Sequence, residues 1–79
     1  MVRTKAIEFI PNSSGTMWIT SENLGDKFNR LIDCVSMSGN QIVYPFYENG
    51  LGWGIKSYKV QDGSIVINTT NLIIEVSYK

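Results

Sequence analysis

The chain has no histidine, a single cysteine and two prolines among its 79 residues. Each shortage removes a class of chemistry. Without histidine there is no imidazole general base and no imidazole metal ligand. One cysteine, Cys34, cannot close an internal disulfide, which makes a reducing cytoplasm the expected compartment. Seven basic side chains balance seven acidic ones, leaving no long-range field to draw in nucleic acid or anionic lipid. No apolar run approaches the roughly 20 residues of a membrane-spanning helix. Glu8 and Pro11 interrupt any signal-like segment after Arg3 and Lys5. Internal repeats, linkers and low-complexity tracts are also missing. The expectation is no membrane partner, no cofactor and nucleic acid disfavoured.

What is present is 43% hydrophobic and 18% charged, the composition of an ordinary folded domain. Residues 1–79 read as a single compact domain. The stretch Trp53–Tyr78 carries the clearest signals. Asp62-Gly63 between two apolar runs predicts a tight hairpin, since a type I′ turn needs positive φ at both central residues. In that register Val60 faces Ile65, Tyr58 faces Ile67, and Lys59 and Gln61 face Val66 and Ser64. Leu72, Ile74, Val76 and Tyr78 alternate with Ile73, Glu75 and Ser77 as a further strand.

Earlier in the chain, Val2–Ile10 and Thr16–Thr20 read as strands of a hairpin, joined by the turn formers Pro11-Asn-Ser-Ser-Gly15. Leu24, Phe28, Leu31, Ile32 and Val35 recur at helical spacing and predict an amphipathic helix over 21–36. Thr20 or Ser21 would cap it, Gly25 would weaken its first turn, and Ser38-Gly39-Asn40 would stop it. Gln41–Tyr47 resumes strand character, with Pro45 indicating an edge. A two-residue Asn49-Gly50 turn would pair Phe46 with Trp53 and Tyr44 with Ile55. It agrees with the second hairpin only if a bulge falls at Gly52 or Gly54. The fold class is therefore α+β, a small antiparallel sheet of order ββαββββ with one amphipathic helix on one face. Its expected core is Leu24, Phe28, Leu31, Ile32, Val35, Val60, Ile65, Ile67, Leu72, Ile74 and Val76.

Candidate chemistry is sparse. Cys34 reads as a half-buried structural thiol with nothing to activate it. Glu22, Asp26 and Asp33 would share a face of the expected helix, where a solvated surface is far commoner than a cation site. Asn12-Ser-Ser and Asn68-Thr-Thr match the glycosylation pattern by chance in a chain rich in Asn, Ser and Thr. Gly50-Leu-Gly-Trp-Gly54 runs from strand to strand, unlike a phosphate loop, which leads into a helix. No catalysis and no metal are expected.

Two binding readings remain. Tyr47, Asn49, Leu51 and Trp53, on an irregular glycine-rich loop, form a candidate contact patch for a protein partner. This is the profile of a non-catalytic interaction module, an inhibitor or accessory factor of the kind carried by mobile elements. Leu72–Val76, apolar on both parities through Ile73, is either a central strand covered on both faces or an edge strand open to another copy, and in the second case a homo-oligomer is expected. The alternative is single-stranded nucleic acid, with Tyr44, Trp53, Lys56, Tyr58 and Lys59 stacking bases and holding phosphates. Gly52-Trp-Gly-Ile55 followed by Asp62-Gly63 resembles the glycine-aromatic-glycine strand of cold-shock domains, which implies such stacking. The resemblance stops there, because no second aromatic and basic strand follows Asp62-Gly63 and no family is assigned.

Overall fold

The computed structural model describes residues 1–37 and 40–79. Its strands are β1 (Arg3–Phe9), β2 (Thr16–Trp18), β3 (Leu31–Ser36), β4 (Ile42–Glu48), β5 (Gly52–Gln61), β6 (Ser64–Ile67) and β7 (Leu72–Tyr78), with a helix α1 (Ser21–Leu24) after β2. They form two antiparallel sheets. The first has the order β1-β7-β3; the second has β5 beside β4 on one edge, with β2 and β6 also paired to β5. The class is sheet-rich with one short helix.

The expected helix over 21–36 is corrected. It lasts one turn, although Thr20 caps it as expected, exchanging hydrogen bonds with Asn23. Gly25 does not merely weaken the helix but ends it: at φ 73° it sits left-handed, its amide donating to Ser21 O at 2.7 Å. The expected stop at Ser38-Gly39 lies outside the described residues. The helical spacing around Leu31 has another cause. Leu31 pairs with Tyr78 and Asp33 with Ser77, so two residues oppose one and Ile32 is bulged. The bulge lets Leu31 and Cys34, three apart, both face inward, which mimics a helical period. Ile32 and Val35 turn outward instead.

The expected hairpin over residues 2–20 is also replaced. Asn12 Oδ1 accepts from the amides of Ser14 and Thr16 and from the Thr16 hydroxyl, and Gly15 takes φ 71°. This turn carries the chain from one sheet to the other, so β1 pairs with β7 and β2 with β5. β7 is the centre of its sheet, flanked on both edges: of the two positions weighed for it, it takes the central one and is not an edge open to another copy.

The Asp62-Gly63 hairpin has the predicted register, from Tyr58 with Ile67 to Gln61 with Ser64. Asp62 at φ 53° and Gly63 at φ 77° supply the required positive angles. Pro45 lies on an edge strand, as predicted. The β4–β5 turn, however, holds Asn49, Gly50 and Leu51, so Tyr47 pairs with Trp53 and Phe46 with Gly54. The extra residue sits in the turn, with Gly50 and Gly52 at positive φ. β5 then pairs with β4 without a bulge.

The core lies between the inner sheet faces. Phe9, Leu31, Cys34, Leu72, Ile74, Val76 and Tyr78 come from the first sheet, Met17, Val43 and Ile55 from the second, and Ile19 and Leu24 from the connection. Val60, Ile65 and Ile67, expected inside, are 60%, 72% and 54% exposed. Phe28 is half-buried, against Tyr78. Lys5 Nζ donates to Leu24 O at 2.8 Å, and Arg3 bridges Asp26 at 2.7 Å, pinning the α1 segment to β1. Where β2 gives way to β6, Asn68 is buried and donates to Ser57 Oγ and Thr70 O. Ser57 N and Oγ both donate to Gly15 O, closing this junction.

Candidate functional site: the outer face of the second sheet

Side chains two apart on a strand share a face. With the register fixed, Ile55, Val43 and Met17 point to the core, and the opposite parity points away from it. The outward rows are Trp18–Gly54–Phe46, then Thr16–Lys56–Tyr44, then Ile67–Tyr58–Ile42, then Ile65–Val60. The sheet is thus apolar on both sides.

Gly54 shapes the first row. A Cβ there would lie 2.7 Å from Trp18 Cε3 and 3.1 Å from Phe46 Cε1. Its absence lets the two rings lean across the strand and meet with centroids 5.3 Å apart. Lys56 stretches over Phe46, its ammonium 4.8 Å from the ring centroid. Tyr44 and Tyr58 meet edge to face at 6.2 Å. At one end Ser14, Thr16, Trp18, Phe46, Tyr47, Glu48 and Lys56 line an open concavity of about 410 Å³.

The expected sites divide across this geometry. Of the nucleic-acid set, Tyr44, Lys56 and Tyr58 share the outer face, while Trp53 and Lys59 lie on the opposite parity. Of the loop patch, only Asn49 and Leu51 are in the turn, both exposed. Tyr47 and Trp53 form a cross-strand pair on β4 and β5, 5.3 Å between rings, in which Tyr47 stays 58% exposed. Trp53 is half-buried against the core and donates Nε1–H to Asn29 O at 3.2 Å. Trp18 and Phe46, in neither expected contact set, also join the outer face. Phe46 depended on the length of the turn, and Trp18 on which side of β2 faced the core.

Other groups offer little reactivity. Burial, and then the Asp33 charge, push the Cys34 thiol up to about 12, so it is protonated at neutral pH. Glu22, Asp26 and Asp33 do not share a helix face: Asp26 is held by Arg3 and Tyr78, and Asp33 lies on β3. Among the described residues, no three His, Cys, Asp or Glu side chains gather closely enough to hold a metal ion. Nor is any helix long and apolar enough to cross a membrane. The outer face offers apolar contact, ring stacking, hydroxyls and one ammonium.

Compared with protein-family models, curated proteins and solved structures, the chain matches none.

Proposed function

We propose that the chain is a non-catalytic protein-interaction module that binds its partner with the outer face of the second sheet. The observation that carries this reading is the run of Trp18, Phe46, Tyr44, Tyr58 and Ile42 on the side of the sheet turned away from the core. Large apolar groups on a face that covers no core are the usual mark of a contact surface, and Trp and Tyr dominate binding energy where they occur. The fitting partner presents aliphatic side chains, with a carboxylate opposite Lys56. Leu51 and Asn49 at the adjacent turn extend the contact to the edge.

Capture from a lysate of the native host by the immobilised chain tests this. Tyr44→Asp should abolish capture while leaving the fold intact, and Val35→Asp on the other sheet should not affect it. Capture that survives Tyr44→Asp but is lost with Leu51→Asp would move the surface to the turn.

The second reading, single-stranded nucleic acid, is favoured by Lys56 standing among Phe46, Tyr44 and Tyr58. It predicts oligonucleotide binding that weakens steeply with salt. With zero net charge and one cation among the rings, no binding is expected at physiological ionic strength.

A further inference from the structure

We propose that β6 is a self-association edge, at which two copies pair their Ser64–Ile67 strands antiparallel about a two-fold axis at Val66. This rests on the strand's edge and is independent of the face assigned above.

Sheet edges expose unpaired amides and carbonyls, and soluble proteins guard them. The other edge strands here are guarded in different ways. β1 carries Arg3, Lys5 and Glu8, the first two tied to the α1 segment. β2 has three residues. β3 is bulged at Ile32, and Asp33 Oδ1 takes the Cys34 amide at 2.8 Å. β4 carries Pro45 and Glu48. β6 has no charge, no proline and no bulge, and among the described residues it is paired only with β5.

The hairpin fixes which groups are open. Gln61 and Ser64 flank a two-residue turn and so form a hydrogen-bonded pair, and the pattern alternates, making Lys59–Val66 the next one. Ser64 and Val66 therefore bond to β5, while Ile65 and Ile67 direct their N–H and C=O to the open edge. A second copy satisfies them in one register. Ile65 pairs with Ile67 of the other copy and reciprocally, each pair exchanging both N–H···O bonds, and Val66 faces its own counterpart.

The sequence fits this symmetry. Ser64-Ile65-Val66-Ile67-Asn68 reads polar, Ile, Val, Ile, polar in both directions, so the strand is its own complement. No charge occurs from Gly63 to Asn71, and Asp62 at the turn meets the uncharged 69–71 stretch of the second copy. Like charges are therefore never opposed. The pairing also makes the two apolar outer faces continuous. Four-residue strands form a contact at or below the low end of stable interfaces, about 1,200 Å². The dimer is accordingly reversible.

Sedimentation equilibrium of the full chain should show a monomer–dimer equilibrium. Ile65→Pro removes an edge amide that β5 does not use, and should raise the dissociation constant about tenfold or more. Ile65→Lys, at a position 72% exposed, provides the same test if the proline variant loses structure. On the axis, facing α-carbons about 4.5 Å apart suit a disulfide. Oxidation of Val66→Cys should therefore give a covalent dimer, Cys34 being buried, whereas Ser64→Cys should not. A chain that stays monomeric at millimolar concentration without a Val66→Cys cross-link would overturn the pairing. So would a dimer unaffected by both Ile65 substitutions, or equal cross-linking at 64 and 66.

Discussion

The two sheets are alike inside and differ outside. Inward, both present aliphatic side chains to one core. Outward, the first sheet shows Thr4, Ser77 and Asp33 in one row, Ala6, Glu75 and Val35 in the next, then Glu8 and Ile73. This is the usual half-buried alternation of polar and apolar faces. The second sheet shows Trp18 with Phe46, Lys56 with Tyr44, then Tyr58 with Ile42 and Ile67. In the first sheet, the sequence pattern itself says which face is covered. In the second, both parities are apolar, and register decides.

The largest test of that difference compares two isoleucines on the same sheet. Ile55→Ala, at a fully buried position, should cost about 2–5 kcal/mol and leave so small a domain barely folded. Ile65→Ala, outward, should cost under about 0.5 kcal/mol. Chemical denaturation of both variants checks this, and equal losses would mean that the outer face is not a free surface.

Trp53 sharpens the boundary between the faces. Half-buried, with its indole N–H on Asn29 O, it should cost about 2–3 kcal/mol on replacement by Ala, below the range for a fully buried ring. An unchanged melting temperature would return Trp53 to the contact surface.

Cys34 gives a pH signature for the inner side. Its thiol is raised from 9.0 to about 12 in the folded chain. Below pH 9 both folded and unfolded chains hold the proton, and nothing changes. As pH rises from 9 towards 12, only the unfolded chain loses it, so stability falls. At pH 10 the loss is on the order of 1 kcal/mol. Denaturation at pH 8 and 10 should show this dependence in the native chain and not in Cys34→Ala.

The smallest effect belongs to the outer rings. A double-mutant cycle on Trp18→Ala and Phe46→Ala should give a coupling of about 0.5–1.5 kcal/mol, as expected for an aromatic pair. Additive losses would show that the rings do not support each other, leaving Gly54 without this packing role.

Where one local signal sufficed, the sequence was legible. Asp62-Gly63 dictates the β5–β6 register, because few other pairs tolerate positive φ twice, and Leu72–Tyr78 alternates cleanly because only one of its faces is covered. Residues 21–36 misled because a one-residue bulge at Ile32 reproduces helical spacing, and because Gly25 acts as a stop. The outer face was partly legible. Lys56 and Tyr58 share a parity visible within β5, but Tyr44 and Phe46, two apart on β4, joined that face only through the third turn residue, Leu51. Trp18 depended on the long-range pairing of β2 with β5, which no local pattern encodes.

The pairing of Arg3 with Tyr78 also bears on the order of assembly. The β4–β5 and β5–β6 hairpins close over short loops, a step of about 1–10 μs in isolated hairpins. The first sheet joins residues as distant in sequence as Arg3 and Tyr78, and such closure is slow because the loop entropy is lost before any contact forms. During synthesis β1 emerges before the other strands and waits for β7, its partner across all five strands between them. Until β7 arrives, the second sheet has its inner face as bare as its outer one. The nascent chain therefore passes through a stage with two sticky surfaces, and β7, made after the other six strands, is the one that hides the first of them.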